Sequence, residues 1–187
     1  MSALVFPSAA TTSLLIIDVQ ERLVPAMHAA AAQCIRTTSI LLECAIEFQW
    51  PVFYTEQYPR GLGPTIEPLR VLLEQAGAQR QEKTEFSALN NADFAAAALP
   101  RLTNHVIVCG MESHICVLQT VVDLQARGHQ AYVPIDGVAS RTEANRDNGL
   151  ALMARAGAVV TNAESLLFGA VGRAGTPAFK KLSALIR

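Results

Sequence analysis

The sequence lacks any cluster of basic residues, and its charges nearly cancel. Fifteen Lys and Arg residues stand against sixteen Asp and Glu residues, so the formal net charge at pH 7 is -1. Binding to nucleic-acid phosphates or to an anionic membrane surface uses clustered positive charge. We therefore expect neither nucleic acid nor a membrane among the partners of this protein.

The cysteines and histidines lack the spacings of metal sites. The four cysteines form no CxxC pair, and the four histidines show no HxH, HxxxH or HExxH pattern. No metal and no cofactor are therefore predicted. Cys34 and Cys44 are predicted to share one helix, in which their separation of about 15 Å is too large for a disulfide. All four cysteines are interpreted as reduced thiols, which favours a cytoplasmic location.

Long apolar runs are also missing. No run approaches the length that a membrane-spanning helix needs. The apolar N-terminal segment has no Lys or Arg at its start and is interrupted by Pro7, so a secretion signal is not predicted. These absences predict a soluble protein.

What the chain does contain is a regular alternation of short apolar runs and helical patterns. Hydrophobic residues make up 51% and charged residues 17% of 187 residues, which excludes disorder and favours one domain over residues 1–187. The apolar runs are too continuous for half-exposed strands, so both faces of the sheet should be covered. Strands are predicted over residues 13–18, 51–55, 105–110, 130–136 and 158–161.

Helical periodicity fills the segments between these strands. Helices are predicted over residues 28–49, 113–127 and 143–156, with two short ones near the C-terminus. The pattern predicts a three-layer α/β/α sandwich with a Rossmann-like, mostly parallel sheet of about six strands. The longest irregular stretch, residues 55–68, should lie at the carboxyl edge of the sheet, where ligands bind in this architecture.

Two charged residues have both a structural and a chemical interpretation. Asp18 ends the first predicted strand in "LLIIDVQ", and it is either a capping carboxylate or a general base. Lys83 in "QEKTEFSAL" is either part of a solvated charge patch or turned inward to pair with a buried carboxylate.

Cys116 is the candidate nucleophile. It follows the strand-to-helix turn "GMESHIC", which places it in the first turn of the predicted helix. Unpaired N–H groups and the helix dipole stabilise a thiolate there, so its pKa should fall below about 8.5. A buried cysteine can equally serve as a small packing residue, which is the interpretation of Cys109. A thiol, a carboxylate and an amine in one crevice would form an activated nucleophile.

The three segments that carry these residues resemble the isochorismatase-like cysteine hydrolases. "LLIIDVQ", "KTEFSA" and "VIVCGMESHICVLQTVVDLQARG" are similar to signature segments of that family, and the likeness continues through "VPIDGVASR" almost to the C-terminus. The segments "YTEQYPRGLGPT" and "PAFKKLSALI" most resemble the branch called isochorismatase domain-containing proteins. The substrates of that branch are generally undefined.

The resemblance implies a catalytic triad of Cys116 as nucleophile, Asp18 as base and Lys83. It also implies a cis peptide bond between Met111 and Glu112, and an oxyanion hole formed by the backbone N–H groups of Glu112 and Cys116. Relatives of this family commonly form dimers or larger assemblies, so a homo-oligomer is expected.

Departures from the family pattern narrow the expected substrate. The Asp-x-His metal motif of nicotinamidases is absent from "TEQYP", and Cys116 argues against vinyl-ether cleavage, because isochorismatases typically lack this cysteine. Glu112 and Ser113 replace a familiar Ala-Thr pair. Glu112 then either favours a cationic or hydrogen-bond-donating substrate or is held by a local structural partner.

These observations predict a cysteine-dependent hydrolase of a small amide or related C–N bond, acting through a thioester on a small-molecule substrate. Candidate substrate-binding residues, besides Glu112, are Gln20, Tyr58, Ser113 and His114. The alternative is a binding or interaction module that retains the fold with little catalysis. A thiol redox role is less favoured, because no resolving cysteine is evident.

Overall fold

The computed structural model describes residues 5–186, and only the backbone of residues 28 and 29; residues 1–4 of the apolar N-terminal segment lie outside this range. Seven strands form one parallel sheet in the order β3-β2-β1-β4-β5-β7, with β6 paired to β4. The strands are β1 Thr12–Ile17, β2 Val52–Gln57, β3 Gln79–Lys83, β4 His105–Met111, β5 Gln130–Pro134, β6 Val138–Ala139 and β7 Val159–Thr161.

Helices cover both faces of this sheet, which confirms the predicted α/β/α layers. They are α1 His28–Phe48, α2 Pro59–Leu62, α3 Glu67–Gln75, α4 Ala92–Ala98, α5 Leu118–Ala126, α6 Glu143–Arg155, α7 Ala163–Val171 and α8 Pro177–Ser183. Side chains of β1 alternate between two cores. Leu14 and Ile16 pack with α1, α3, α7 and α8, whereas Leu15 and Ile17 pack with α4, α5 and α6. Among the described residues, no helix is both long and apolar enough to cross a membrane.

Several elements depart from the sequence prediction. Strand β3 was not predicted because its residues, QRQEK, are mostly polar; it is an edge strand paired with β2. Helices α3 and α4 and the two-residue strand β6 were also not predicted. The stretch 55–68 is less irregular than expected, since β2 extends to Gln57 and α2 lies within it.

The strands position the site because all of them run in one direction. Residues that end or follow parallel strands meet at the same edge of a sheet. Asp18 follows β1, Gln57 ends β2, Lys83 ends β3 and Glu112 follows β4. The four neighbouring strands thus deliver four polar side chains to one edge.

Candidate active site

Asp18 is fully buried at the end of β1 and is held by two donors. Its backbone has a φ of 54°, a left-handed conformation that Asp and Asn tolerate better than most residues. Thr55 Oγ1 donates to Oδ1 at 2.7 Å, and Lys83 Nζ donates to Oδ2 at 2.6 Å. The carboxylate therefore has a fixed orientation and a paired charge.

Lys83 points inward, as one of its two interpretations predicted. Its side chain is 0% exposed, and Nζ also donates to Gln57 Oε1 at 2.6 Å. The amide of Gln57 is oriented in turn by a bond from Nε2 to the carbonyl of Thr84. Both charges of this ion pair are shielded from water, and such a pair tolerates the loss of one partner poorly.

Cys116 lies beside this ion pair in a π-helical turn, Ser113–Val117, that precedes α5. It is close enough to Asp18 and Lys83 that both affect the pKa of its thiol. The predicted lowering of the Cys116 pKa is wrong for the free protein. Burial, together with the negative charge of Asp18, raises the pKa of this thiol to about 12, although Lys83 opposes the shift. The resting group is thus a thiol.

The sheet separates Cys116 from the other three cysteines. Cys34, Cys44 and Cys109 belong to the core on the α1 face, whereas Cys116 belongs to the core on the opposite face. All four are free and buried. No second thiol therefore lies beside Cys116 within the described residues, which disfavours a resolving cysteine.

A cavity of about 180 Å³ opens onto the thiol. One part of its lining is polar and consists of Asp18, Gln57, Glu112, Cys116 and Arg141. The other part is apolar and consists of Leu23, Leu62, Phe86 and Ile115. This volume suits a small ligand.

Glu112 is held by a local structural partner, Arg141, as one of its two interpretations predicted. The peptide bond between Met111 and Glu112 is cis. Glu112 is 4% exposed, and both of its carboxylate oxygens accept hydrogen bonds from Arg141. Its carbonyl oxygen accepts from the N–H groups of Ile115 and Val117, which fixes the turn that carries Cys116.

Gln20 and Ser113, two of the candidate substrate-binding residues, do not line this cavity. Gln20 is fully buried. Its Nε2 donates to the carbonyl oxygens of Gln57 and Gly63, and its Oε1 accepts from the backbone N–H of Gln57. Ser113 is fully buried and donates to the carbonyl of Arg146. Both side chains have their hydrogen-bonding capacity used within the fold.

Tyr58 and His114 do not line this cavity either. The ring of Tyr58 is exposed and lines a neighbouring cavity with Arg60, Thr84 and others. His114 Nδ1 is hydrogen-bonded to Ser140 Oγ at 3.0 Å. Neither side chain is among those that line the cavity at Cys116.

Three site residues were missed by the sequence analysis. Gln57 ends a strand at the carboxyl edge, a position that could have marked it as it marked Asp18. Thr55 is an ordinary strand residue, and no sequence signal singles it out. Arg141 belongs to the segment "VASR", which resembles the family. That likeness did not indicate that the Arg141 guanidinium would reach Glu112.

The position of the nicotinamidase metal motif does not fit a metal here. Glu56, the acid of "TEQYP", accepts from Thr65 through Oε1 and from Arg80 through Oε2. Among the residues that the structure describes, no three metal-ligating side chains come together.

The fold and the site define the class of the protein: a Rossmann-like α/β protein with a thiol, a carboxylate and an ammonium at the carboxyl edge of its sheet. A model of the isochorismatase domain matches residues 12–165. The chain therefore belongs to the isochorismatase-like family.

Curated relatives agree with this assignment. The chain is 37% identical over 180 residues to isochorismatase domain-containing protein 1 of Salmo salar, covering 95% of this chain and 62% of that relative. It is 33% identical over 177 residues to isochorismatase domain-containing protein 2 of Bos taurus, covering 95% of this chain and 83% of the relative. This chain thus spans less than two thirds of the first relative.

Solved structures show the same fold. One, titled as the MAR1 ribonuclease of Caenorhabditis elegans, is 32% identical with a TM-score of 0.86, covering 97% of this chain and 92% of the other. Another is the YcaC gene product of Escherichia coli, titled an octameric hydrolase of unknown specificity. It is 18% identical with a TM-score of 0.88, covering 99% of this chain and 92% of the other, and this likeness concerns the fold alone.

Proposed function

We propose that the protein is a cysteine hydrolase that cleaves a small amide or related C–N bond through a thioester. One observation supports this most strongly: Cys116 and Asp18 line the same small cavity, and Asp18 belongs to a fully buried ion pair with Lys83. A base, a nucleophile and a balancing cation are the components that an activated thiol needs. Membership of the isochorismatase-like family supports the broader assignment as a hydrolase.

The reaction begins with transfer of the thiol proton from Cys116 to Asp18 as the sulfur attacks the carbonyl carbon. The carbonyl oxygen becomes an oxyanion, and the backbone N–H groups of Glu112 and Cys116 stabilise it. Asp18 then gives its proton to the departing nitrogen as the C–N bond breaks, leaving a thioester on Cys116.

Water completes the cycle. Asp18 takes a proton from the water that attacks the thioester, and the acid product leaves as the Cys116 thiol is regenerated. Lys83 holds the carboxylate in place throughout by its hydrogen bond to Oδ2. Because burial raises the thiol pKa to about 12, proton transfer is coupled to attack on a bound substrate and no thiolate accumulates beforehand.

Ammonia release from a panel of small primary amides, ureas and carbamoyl compounds tests the proposal. At least one compound should be hydrolysed, and Cys116→Ala should lower the rate by about 10³-fold or more, since the nucleophile is lost. Cys44→Ala is the matched control, because it removes a buried thiol from helix α1 on the other face of the sheet. Equal activity in Cys116→Ala and the parent would eliminate the covalent step.

A protein that hydrolyses nothing in the panel but binds some of its members would support the alternative, a binding module. Because the similar C. elegans structure is named a ribonuclease, the panel also includes single-stranded RNA. We expect no RNA cleavage, because the formal net charge is -1 and the cavity is small. RNA cleavage that disappears in Cys116→Ala would replace amide hydrolysis as the function.

The expected partners remain a small molecule and further copies of this chain. The octameric state given for the E. coli structure motivates a measurement of mass in solution. Light scattering after size-exclusion chromatography should give a multiple of 20.1 kDa, whereas a monomer would contradict the expectation.

A further inference from the structure

A second ion pair lies at the cavity, and the proposed mechanism does not use its side chains. The Glu112 carboxylate is bound by Arg141, whose Nε and Nη2 donate to Oε1 at 3.1 and 3.0 Å. The backbone N–H of Arg141 donates to Oε2 at 3.1 Å. Both residues line the same cavity as Cys116.

The two partners are exposed very differently. The side chain of Glu112 is 5% exposed, whereas that of Arg141 is 62% exposed. Each acid that lines the cavity is paired with a cation, Asp18 with Lys83 and Glu112 with Arg141. The cavity therefore offers no unbalanced negative charge to a cationic substrate, and its more accessible charge is positive.

The guanidinium uses one edge for Glu112. Nε and Nη2 form that edge, and the adjacent edge, formed by Nη1 and Nη2, has the geometry that binds a carboxylate through two hydrogen bonds. A planar guanidinium can bind a carboxylate at each edge. Glu112 thus fixes Arg141 in position for a second anion and does not compete for that edge.

We propose that Arg141 binds a carboxylate of the substrate, so that the substrates are small amides carrying a carboxylate, such as monoamides of short dicarboxylic acids. This inference rests on the proposed amide hydrolysis for the identity of the reacting end. The carboxylate lies at Arg141, the amide carbonyl faces Cys116, and the connecting carbons contact apolar walls that include Phe86 and Ile115. A cavity of about 180 Å³ suits a short connecting chain.

Binding to the Cys116→Ala protein tests this without any turnover. The probes are the monoamides of oxalic, malonic and succinic acid, each compared by NMR titration with its diamide, which has nearly the same shape but no charge. At least one monoamide should bind tenfold or more tightly than its diamide. The preference should fall to about twofold or less when Arg141→Gln is added.

Arg60→Gln in the same Cys116→Ala protein is the control for general electrostatics, since it removes one positive charge beside the neighbouring cavity. It should keep the preference. Absence of monoamide binding, equal binding of monoamide and diamide, or a preference that survives Arg141→Gln would each overturn the inference.

Different results would contradict the proposed function and the carboxylate site at Arg141. A parent protein that hydrolyses neutral amides without any carboxylate preference keeps the proposed function and loses the assignment of Arg141. A parent that hydrolyses none of the amides but binds monoamides through Arg141 loses the function and keeps the carboxylate site. For any monoamide that is hydrolysed, Arg141→Gln should lower the ratio of its kcat/KM to that of the diamide at least tenfold.

Discussion

Asp18 depends on Lys83 more than on any other single contact at the site. The carboxylate is fully buried, and Lys83 supplies the charge that balances it at 2.6 Å. Removing one partner of a buried ion pair leaves an uncompensated charge, which is more harmful than removing both. The contribution of Lys83 to stability and to catalysis can therefore be separated by paired substitutions.

Lys83→Met should lower the free energy of unfolding by about 3–5 kcal/mol, because Asp18 is left charged and unpaired. The double variant Asp18→Asn, Lys83→Met should recover part of that loss, since Asn tolerates the left-handed backbone and carries no charge. Urea denaturation measures both variants. A double variant no more stable than Lys83→Met would contradict the argument, and both should be inactive in ammonia release.

The Cys116 thiol gives a second prediction at this scale. Because its pKa is raised to about 12, the rate of iodoacetamide labelling in the free protein should rise by roughly tenfold per pH unit between pH 7 and 9. Mass spectrometry of the labelled peptide gives the rate. A plateau below pH 8 would show a lowered pKa and restore the expectation drawn from the first-turn position.

At the scale of elements, the site depends on how closely β1 and β4 approach. Gly110 of β4 is paired with Ile17 of β1, and its φ is 121°. A Cβ at Gly110 would lie 2.0 Å from the carbonyl oxygen of Ile17, which is backbone and cannot rotate away. Asp18 comes next along the chain, so any shift of β1 moves the proposed base.

Gly110→Ala should therefore lower the free energy of unfolding by about 4 kcal/mol or more, through backbone displacement added to strain at positive φ. Gly77→Ala is the matched control, because Gly77 also has a positive φ, 60°, but nothing lies within 4 Å of an added Cβ. The Gly77→Ala substitution should lower the free energy of unfolding by only about 1–2 kcal/mol. Similar urea midpoints for the two variants would contradict the close approach.

The elements also show what the sequence could predict and what it could not. Strands such as β1 and β4 were predictable because they are buried on both faces and continuously apolar. Strand β3 was not, because an edge position permits polar residues. Family likeness singled out Asp18, Lys83 and Cys116 together, whereas the contacts of Gln57 and Arg141 depend on side chains that meet across strands, and no local pattern encodes such meetings.

Of the residues predicted to bind substrate, Gln20, Tyr58, Ser113 and His114 do not line the cavity at Cys116. Gln20 and Ser113 lie near site residues in the sequence, but their polar groups bond to the nearby backbone at Gly63 and Arg146 instead. Proximity in sequence to a strand end does not distinguish a side chain that faces a ligand from one that holds the surrounding loop. Only the packing of the folded chain makes that distinction.

At the scale of the whole molecule, the buried thiols couple stability to alkaline pH. Burial raises the pKa of Cys34, Cys44 and Cys116 from 9.0 to about 12. Below pH 9 these thiols are protonated in both the folded and the unfolded state. Between pH 9 and about 12 the unfolded chain loses these protons and the folded protein keeps them, so the free energy of unfolding falls as pH rises.

Each such thiol should contribute a loss of about 1.4 kcal/mol per pH unit in that window. Urea denaturation between pH 8 and 10.5 should thus show a decline of several kcal/mol for the parent. In Cys44→Ala the free energy of unfolding should decline less steeply, by the contribution of one buried thiol. A decline of equal steepness in both proteins would contradict the assignment to the buried thiols.

The segregation of Cys116 from the other cysteines has a practical consequence for future experiments. All four thiols are buried, but Cys116 lines the cavity, whereas Cys34, Cys44 and Cys109 pack in the core on the opposite face of the sheet. A small uncharged alkylating agent should therefore reach Cys116 first at alkaline pH, and a compound that occupies the cavity should slow that reaction and so report its own binding.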